Sequence, residues 1–365
     1  MISVATAARA MLASAALALT LGAGFAAHAT SDRDSLFVGD GIDNRVEVFD
    51  AATGAFRRSL KPAGLLGPRG IVTQSGNLLL VNQNVNTDFT GEVLRFNAST
   101  ANPVTKLVPA DTAHAPFAPR GMILWNDRLF VANVLDPARK DLAGGVLKYT
   151  AAGKFVGRLR SGSPDFHPFG VVIGPDGRLY VTSRPNLLTD DHGGRVLRFD
   201  PTTGDFIDAF IVNDDGPNGG CTDQLNGPEG LVFGPDGRLY VTSFRKDETD
   251  TDKILIFDGP GGAHPRACVG KFDLDKAGAR RVTAQALLFG PGGDLFVPIT
   301  NAFDVDPVAD DTGKDRGAIR RYRPGCKQTA TRLCFSYFVH RGGKLGQGWY
   351  LTFGKTRPGT LAYGG

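Results

Sequence analysis

Histidine and cysteine are scarce in this chain, and neither falls at a metal-binding spacing. There are 6 His and 4 Cys in 365 residues. No C-x-x-C pair exists and no two cysteines stand with a histidine at a zinc-ligand spacing, so a structural zinc site is disfavoured. Past residue 29 no apolar run is long enough to cross a bilayer as a helix. A strong charge of one sign is also lacking. The 41 Lys+Arg against 37 Asp+Glu leave a formal charge of +4, with basic and acidic residues alternating, which excludes the footprint of a nucleic-acid binder. No Ser-His-Asp arrangement is legible, because such triads are recognised by geometry rather than spacing.

What the chain does have is a repeat. Gly227 to Ser243 reads GPEGLVFGPDGRLYVTS, and His167 to Ser183 reads HPFGVVIGPDGRLYVTS. Each holds two short β-branched and aromatic runs joined by Gly-Pro-Asp-Gly. There Pro presets φ, Asp bonds back to the main chain and Gly accepts a positive φ: a hairpin signal. Weaker copies start at Gly67-Pro68-Arg69-Gly70, at Ala118-Pro119-Arg120-Gly121 and at Ala284-Gln285-Ala286. Two further strands follow each hairpin, so every unit reads as a four-stranded blade that cannot bury both faces alone. The 48 Gly and 22 Pro fall between the strand runs and punctuate them.

The first unit lacks its opening strand, and Gly348 to Gly365 supplies a spare one before it stops. The fold expected is therefore all-β: a six-bladed β-propeller closed by pairing of its N- and C-terminal strands, with seven blades the alternative. Closure removes exposed sheet edges. Residues 1–29, with Arg9, the apolar run Met11 to Phe25 and Ala27-His28-Ala29, read as a signal peptide cleaved near Ala29. Residues 30–365 then form one domain that is secreted or periplasmic, without a membrane span and monomeric.

In an exported chain four cysteines imply disulfides, with three possible pairings. Cys326 and Cys334 bracket the last hairpin and are the favoured pair. Cys221 and Cys268 pair by elimination. The blade layout puts one in a top loop and the other near the lower end of an outer strand. Either that strand start is displaced or the thiols stay free.

P-x-G before the first strand, followed by G-P-D-G-R-L-Y-V-T-S, resembles the repeats of NHL and SMP-30/gluconolactonase-like propellers, and more loosely those of streptogramin lyases. The likeness spans nearly the whole mature chain. These folds host hydrolases, lyases and binders, so it leaves enzyme and binding protein both open.

Two rings of positions are expected to face the central cavity at the top. The x of P-x-G gives Arg69, Arg120, Phe169 and Glu229, with Gln285 in blade six and Gln347 or Trp349 in blade one. The ends of the second strands give Asp40, Asn82 or Gln83, Asn133, Ser183, Ser243 and Thr300 or Asn301. Arg184, Arg245, Asp247 and Asp250 lie in loops beyond. Arginines suit planar capture of carboxylate or phosphate, so a small anion, or an extracellular protein or glycan, is the favoured partner. The expected ligand-binding set is Arg69, Arg120, Glu229, Gln285, Asn133 and Asp40. Three alternatives stand beside it. Internal pairing of Arg69, Arg120 and Glu229 fills the channel. Glu229, Asn133 and Asp40 form an oxygen cage for Ca²⁺ or another divalent cation; the SMP-30 resemblance implies such a channel metal, polarising a lactone carbonyl in a hydrolase. The streptogramin lyase resemblance implies a catalytic histidine, for which His167 is the candidate; Glu229 is the other catalytic candidate. The loop from Asn301 to Asp315 is Asp-rich but lacks the Gly and terminal Glu of a Ca²⁺ loop.

Overall fold

A computed structural model describes residues 32–84, 90–136, 139–163, 166–184, 193–213, 221, 223–301, 317–323, 325–326 and 334–364. The expected leader, His192 and nearly all of the Asp-rich loop lie outside them. Among the described residues, strands form six antiparallel four-stranded sheets, the blades of a six-bladed β-propeller.

Blade one begins with β1 (Ser35–Asp40), β2 (Arg45–Asp50) and β3 (Phe56–Leu60). Blade two holds β4 (Pro68–Gln74), β5 (Asn77–Asn82), β6 (Glu92–Asn97) and β7 (Val104–Val108). Blade three holds β8 (Pro119–Trp125), β9 (Arg128–Asp136), β10 (Arg139–Thr150) and β11 (Phe155–Leu159). Blade four holds β12 (His167–Ile173), β13 (Leu179–Arg184), β14 (Arg195–Phe199) and β15 (Phe206–Val212). Blade five holds β16 (Gly227–Phe233), β17 (Leu239–Phe244), β18 (Lys253–Phe257) and β19 (Cys268–Asp273). Blade six holds β20 (Leu288–Phe289), β21 (Leu295–Ile299), β22 (Ala318–Tyr322) and β23 (Phe335–Val339). Finally β24 (Gly348–Phe353) pairs antiparallel with β1 as the innermost strand of blade one. The ring closes by joining the two ends, as the spare strand predicts.

Both faces of the middle strands are covered, which is why they read as apolar runs rather than alternations. All of Leu78 to Val81 is buried. Phe37, Val46 and Val48 of blade one pack with Ile71, Leu78 and Leu80 of blade two. Ile123 and Phe130 of blade three meet Val171 and Val181 of blade four in the same way.

The P-x-G motif is a bulge. In blades two to five the ladder between the first two strands breaks between Pro and the residue after Gly. The freed glycine N–H is caught by the threonine of V-T-S: Gly170 N donates to Thr182 Oγ1 at 2.7 Å and Gly230 N to Thr242 Oγ1 at 2.9 Å. The glycines themselves permit inner strands to touch. A Cβ on Gly170 would lie 2.4 Å from Glu229 O, and one on Gly230 2.7 Å from Ala286 Cα. In blade six Pro298 stands where Thr242 stands in blade five, removing that hydroxyl and a ladder donor. Accordingly β20 has only two residues, shorter than the sequence pattern predicts.

The chain does not stop at β24, as the sequence pattern suggests. It turns back beneath the channel, where Pro358 O accepts from Leu124 N at 3.0 Å and Gly359 O from Ile173 N at 3.1 Å. Leu361 packs against four separate core clusters. It holds φ at 55°, a left-handed conformation that a bulky residue adopts only when packing over-determines it. The tail closes the lower end.

Both disulfides are formed. Cys326–Cys334 has Cα atoms 5.7 Å apart and Cys221–Cys268 5.8 Å apart. The obstacle foreseen for the second pair disappears because β19 starts with a register break, Cys268 pairing with Phe257. Cys221 is buried against that strand start. The chain-entropy argument ranks the two bonds: one spans 47 residues, the other 8. We expect Cys221→Ser/Cys268→Ser to cost about 4 kcal/mol and Cys326→Ser/Cys334→Ser about 2.5 kcal/mol. Denaturant midpoints of the two double variants check the order.

Candidate functional site

The two rings expected at the top of the channel part company in the structure. At the end of the second strand in blades one to five, the polar side chain turns back to hold the segment that enters its own blade's inner strand, whereas in blade six Thr300 Oγ1 donates to Gly348 O of blade one at 3.3 Å. Asn82 Oδ1 accepts from Leu66 N at 2.8 Å and Asn133 Oδ1 from Ala118 N at 2.8 Å. Ser183 Oγ accepts from His167 N at 3.2 Å and Ser243 Oγ from Asn226 N at 3.0 Å. Asp40 accepts from four main-chain amides: Ile42, Asp43, Gly346 and Gln347. Burial nevertheless pushes its carboxyl above the usual range. The Asn133 amide also donates to Leu135 O at 2.6 Å. Asp40 and Asn133 are thus engaged in fastening the fold.

The bulge ring behaves otherwise. Its x residues form a cluster. Arg69 donates from Nε to Gln83 Oε1 at 2.7 Å and from Nη1 to Gln285, and its guanidinium lies 3.7 Å from the Trp349 ring centroid. Trp349, rather than Gln347, takes the slot in blade one. Glu229 pairs with neither Arg69 nor Arg120. Its Oε1 accepts from Arg184 Nη2 at 2.6 Å. Arg184 follows V-T-S directly at the end of β13, and its guanidinium lies between Phe169, 4.1 Å away, and Phe244, 4.5 Å away. Arg120 sits over Phe169 at 5.7 Å and, among the described residues, donates only to Pro119 O, at 3.3 Å.

Three guanidinium groups therefore face one carboxylate. Burial, with Arg120 next in weight, pushes Arg69 down from its ordinary value to about 9, so it stays charged at neutral pH. Burial also pushes Arg184 down; Glu229 opposes the shift and Arg120 adds to it. Beneath the cluster stands Tyr350. It occupies the place that glycine or alanine takes in the other blades, and it shares a void of about 40 Å³ with Gly70, Gly121, Gly170 and Leu361. That volume holds a few waters at most. Burial raises the Tyr350 hydroxyl, and Glu229 adds to the rise against the arginines. Two buried polar atoms of this cluster find no hydrogen-bond partner among the described residues: Glu229 Oε2 and the Tyr350 hydroxyl. Such orphans cost about 1–3 kcal/mol each.

A second layer backs the cluster. Arg281 lies 5.1 Å from the Phe244 centroid and holds buried Asp252 through Nε and Nη2 at 2.9 and 2.7 Å. Asp275 accepts from Asp252 N and Val282 N. Burial first, and then the Asp252 charge, push its carboxyl up to about 7.

Other sequence candidates lie elsewhere or carry less. His167 is buried at the start of β12, cross-strand from Arg184. Arg245 donates to Ala279 O, and Asp250 pairs with Lys253. Arg184 and Tyr350 were not among the sequence candidates for binding. Both were legible by aligning repeats: Arg184 matches Phe244, and Gly348-Trp349-Tyr350 matches Pro228-Glu229-Gly230.

Comparison with known proteins adds fold rather than activity. A family model described as strictosidine synthase-like, N-terminal, matches residues 222–244, the first hairpin of blade five. No curated protein matches in sequence. Among solved structures, a streptogramin B lyase is similar with a TM-score of 0.52 and 13% identity over 86% of this chain and 82% of that one. A luciferin-regenerating enzyme gives 0.52 and 12% over 87% and 90%. A chain of a nidogen/laminin complex gives 0.52 and 12% over 79% and 88%. Two are enzymes and one belongs to a protein–protein complex, which matches the breadth of the fold.

Two outcomes follow from the geometry. Asn133→Ala, which frees one main-chain amide and one carbonyl, is expected to lower stability by about 1–3 kcal/mol, read as a shift in denaturant midpoint. Asp275 has a folded pKa above its unfolded value, so between about pH 4 and 7 the folded state binds the extra proton, and its contribution to stability falls as pH rises. Asp275→Asn should flatten that slope; an unchanged slope in urea titrations at pH 4.5, 6 and 7.5 would remove Asp275 from the account.

Proposed function

We propose that this chain is an exported, monomeric six-bladed propeller, built on NHL/SMP-30-like repeats, that binds a small anion at the top of its central channel. The observation that carries the reading is the gathering of Arg69, Arg120 and Arg184 in one cluster with a single carboxylate, Glu229, which pairs with Arg184 and with neither of the other two. The cluster has a surplus of positive charge in a largely desolvated place, where an anion offsets mutual repulsion among guanidinium groups. Neither Arg69 nor Arg120 pairs with a carboxylate among the described residues; Arg120, which hydrogen-bonds no side chain there, is assigned the main contact, with Arg69 beside it and Gln285 and Gln83 fixing Arg69. Export is supported by two disulfides and the leader-like N-terminal sequence.

A divalent cation fits this donor set poorly. Glu229 is held by Arg184, and Asp40 and Asn133 spend their oxygens on main-chain amides. The acidic trio Asp40, Asp43 and Glu47 is spanned by Arg45, which pairs with the latter two. Among the described residues a metal-dependent hydrolase reading therefore finds no free ligand set at the channel, and binding takes precedence over catalysis.

Isothermal titration of the mature protein with sulfate and succinate tests the proposal. Binding is expected, weakening as ionic strength rises. Arg120→Gln should weaken it about tenfold or more, since a hydrogen bond to a charged group contributes about 1.5–3 kcal/mol. EDTA should leave the thermal melt unmoved. A melt that falls with EDTA and recovers with Ca²⁺ would favour the metal enzyme instead.

A further inference from the structure

The cluster offers more than positive charge. It also presents a buried carboxylate oxygen, Glu229 Oε2, and a buried phenol, Tyr350, neither with a hydrogen-bond partner among the described residues. Glu229 is 4% exposed and Tyr350 7%. Both belong to one electrostatic group with Arg69, Arg120 and Arg184. A simple anion such as sulfate satisfies the arginines and the phenol, but its oxygens repel Glu229. A carboxylate oxygen accepts and does not donate. The complementary ligand therefore has to bring a donor next to its negative charge.

Building on the anion-binding reading, we infer that the site takes a small hydroxycarboxylate. Its carboxylate lies against Arg120 and Arg69 and accepts from the Tyr350 hydroxyl. Its neighbouring hydroxyl donates to Glu229 Oε2. Glu229 is thereby a specificity device: it lowers affinity for plain anions and rewards those with an adjacent O–H, because a site built around a hydrogen bond rejects the analogue that lacks it. Tyr350 bounds the site on the side of the inner-strand glycines, with which it lines a void of only about 40 Å³, too small to admit more than a few atoms.

Malate and succinate differ by one hydroxyl and separate the two layers of the argument. Titration calorimetry on the mature protein should show malate binding about tenfold or more tightly than succinate, with one enantiomer preferred. Glu229→Gln should shrink that ratio while strengthening succinate and sulfate, because a repelling charge is gone. That gain distinguishes a specificity role from a misfolded variant. Tyr350→Phe should weaken malate and succinate alike and leave their ratio unchanged. Equal binding of malate and succinate overturns the hydroxycarboxylate inference and leaves the anion site standing. No binding of malate, succinate or sulfate overturns both.

Discussion

The close approach of six inner strands around one axis is the constraint on which the rest of the molecule depends. Strands that meet backbone to backbone leave no room for a Cβ at Gly170, and the main chain must bulge to pass. A bulge frees an amide, and a buried amide needs an acceptor. Thr182 and Thr242 answer that need, and Ser183 and Ser243 hold the incoming loop one residue later. In blades four and five P-x-G and V-T-S are thus two halves of one device, whereas blades two and three keep the bulge with Val81 and Ala132 in the threonine's place. The side chain of x is what the bulge presents to the channel, so the geometry that closes the ring also selects which residues line its mouth.

Charge at that mouth is expensive to keep. A buried ion pair seldom gains more from attraction than it loses in desolvation, and here the arginines outnumber the acid. Aromatic surfaces offset part of the cost: Arg69 rests on Trp349, and Arg184 lies between Phe169 and Phe244. Stacking of this kind suits guanidinium, which is planar and weakly hydrated, and would not hold lysine as well. The arrangement keeps the positive charges fixed and partly desolvated without neutralising them. A channel filled for stability alone would balance its charges or replace them with apolar side chains.

Most of the fold was legible in the sequence because each blade announces itself through turn chemistry and strand runs. The repeat also gave the bulge ring, including Arg69, Arg120, Glu229 and Gln285. What it did not give was direction. A polar residue at the end of a second strand reads the same whether it points into the cavity or back to an amide, and Asn133 and Asp40 point back. Pairing across blades was hidden too. Arg184 looks like a loop charge until the ring brings blade four beside blade five and sets it against Glu229. The tail under the channel carries no repeat signal, because Leu361 is specified by packing against several blades at once rather than by any local pattern.

The closing strand links stability to binding. Trp349 and Tyr350 lie on β24, which the C-terminus contributes to blade one, whereas Arg69, Arg120 and Arg184 come from blades two to four. The proposed site is therefore assembled only when the two ends of the chain have met. A ligand that touches both the arginines and the Tyr350 hydroxyl binds the closed ring and not the open one, so its binding free energy adds to the closure free energy by mass action. The same linkage runs in reverse. Anything that loosens β24, whether a change in Asp40 at the entry to that strand or in Leu361 of the tail, is expected to lower the fraction of molecules with the proposed site complete and so weaken apparent affinity in proportion, without altering any residue proposed to touch the ligand.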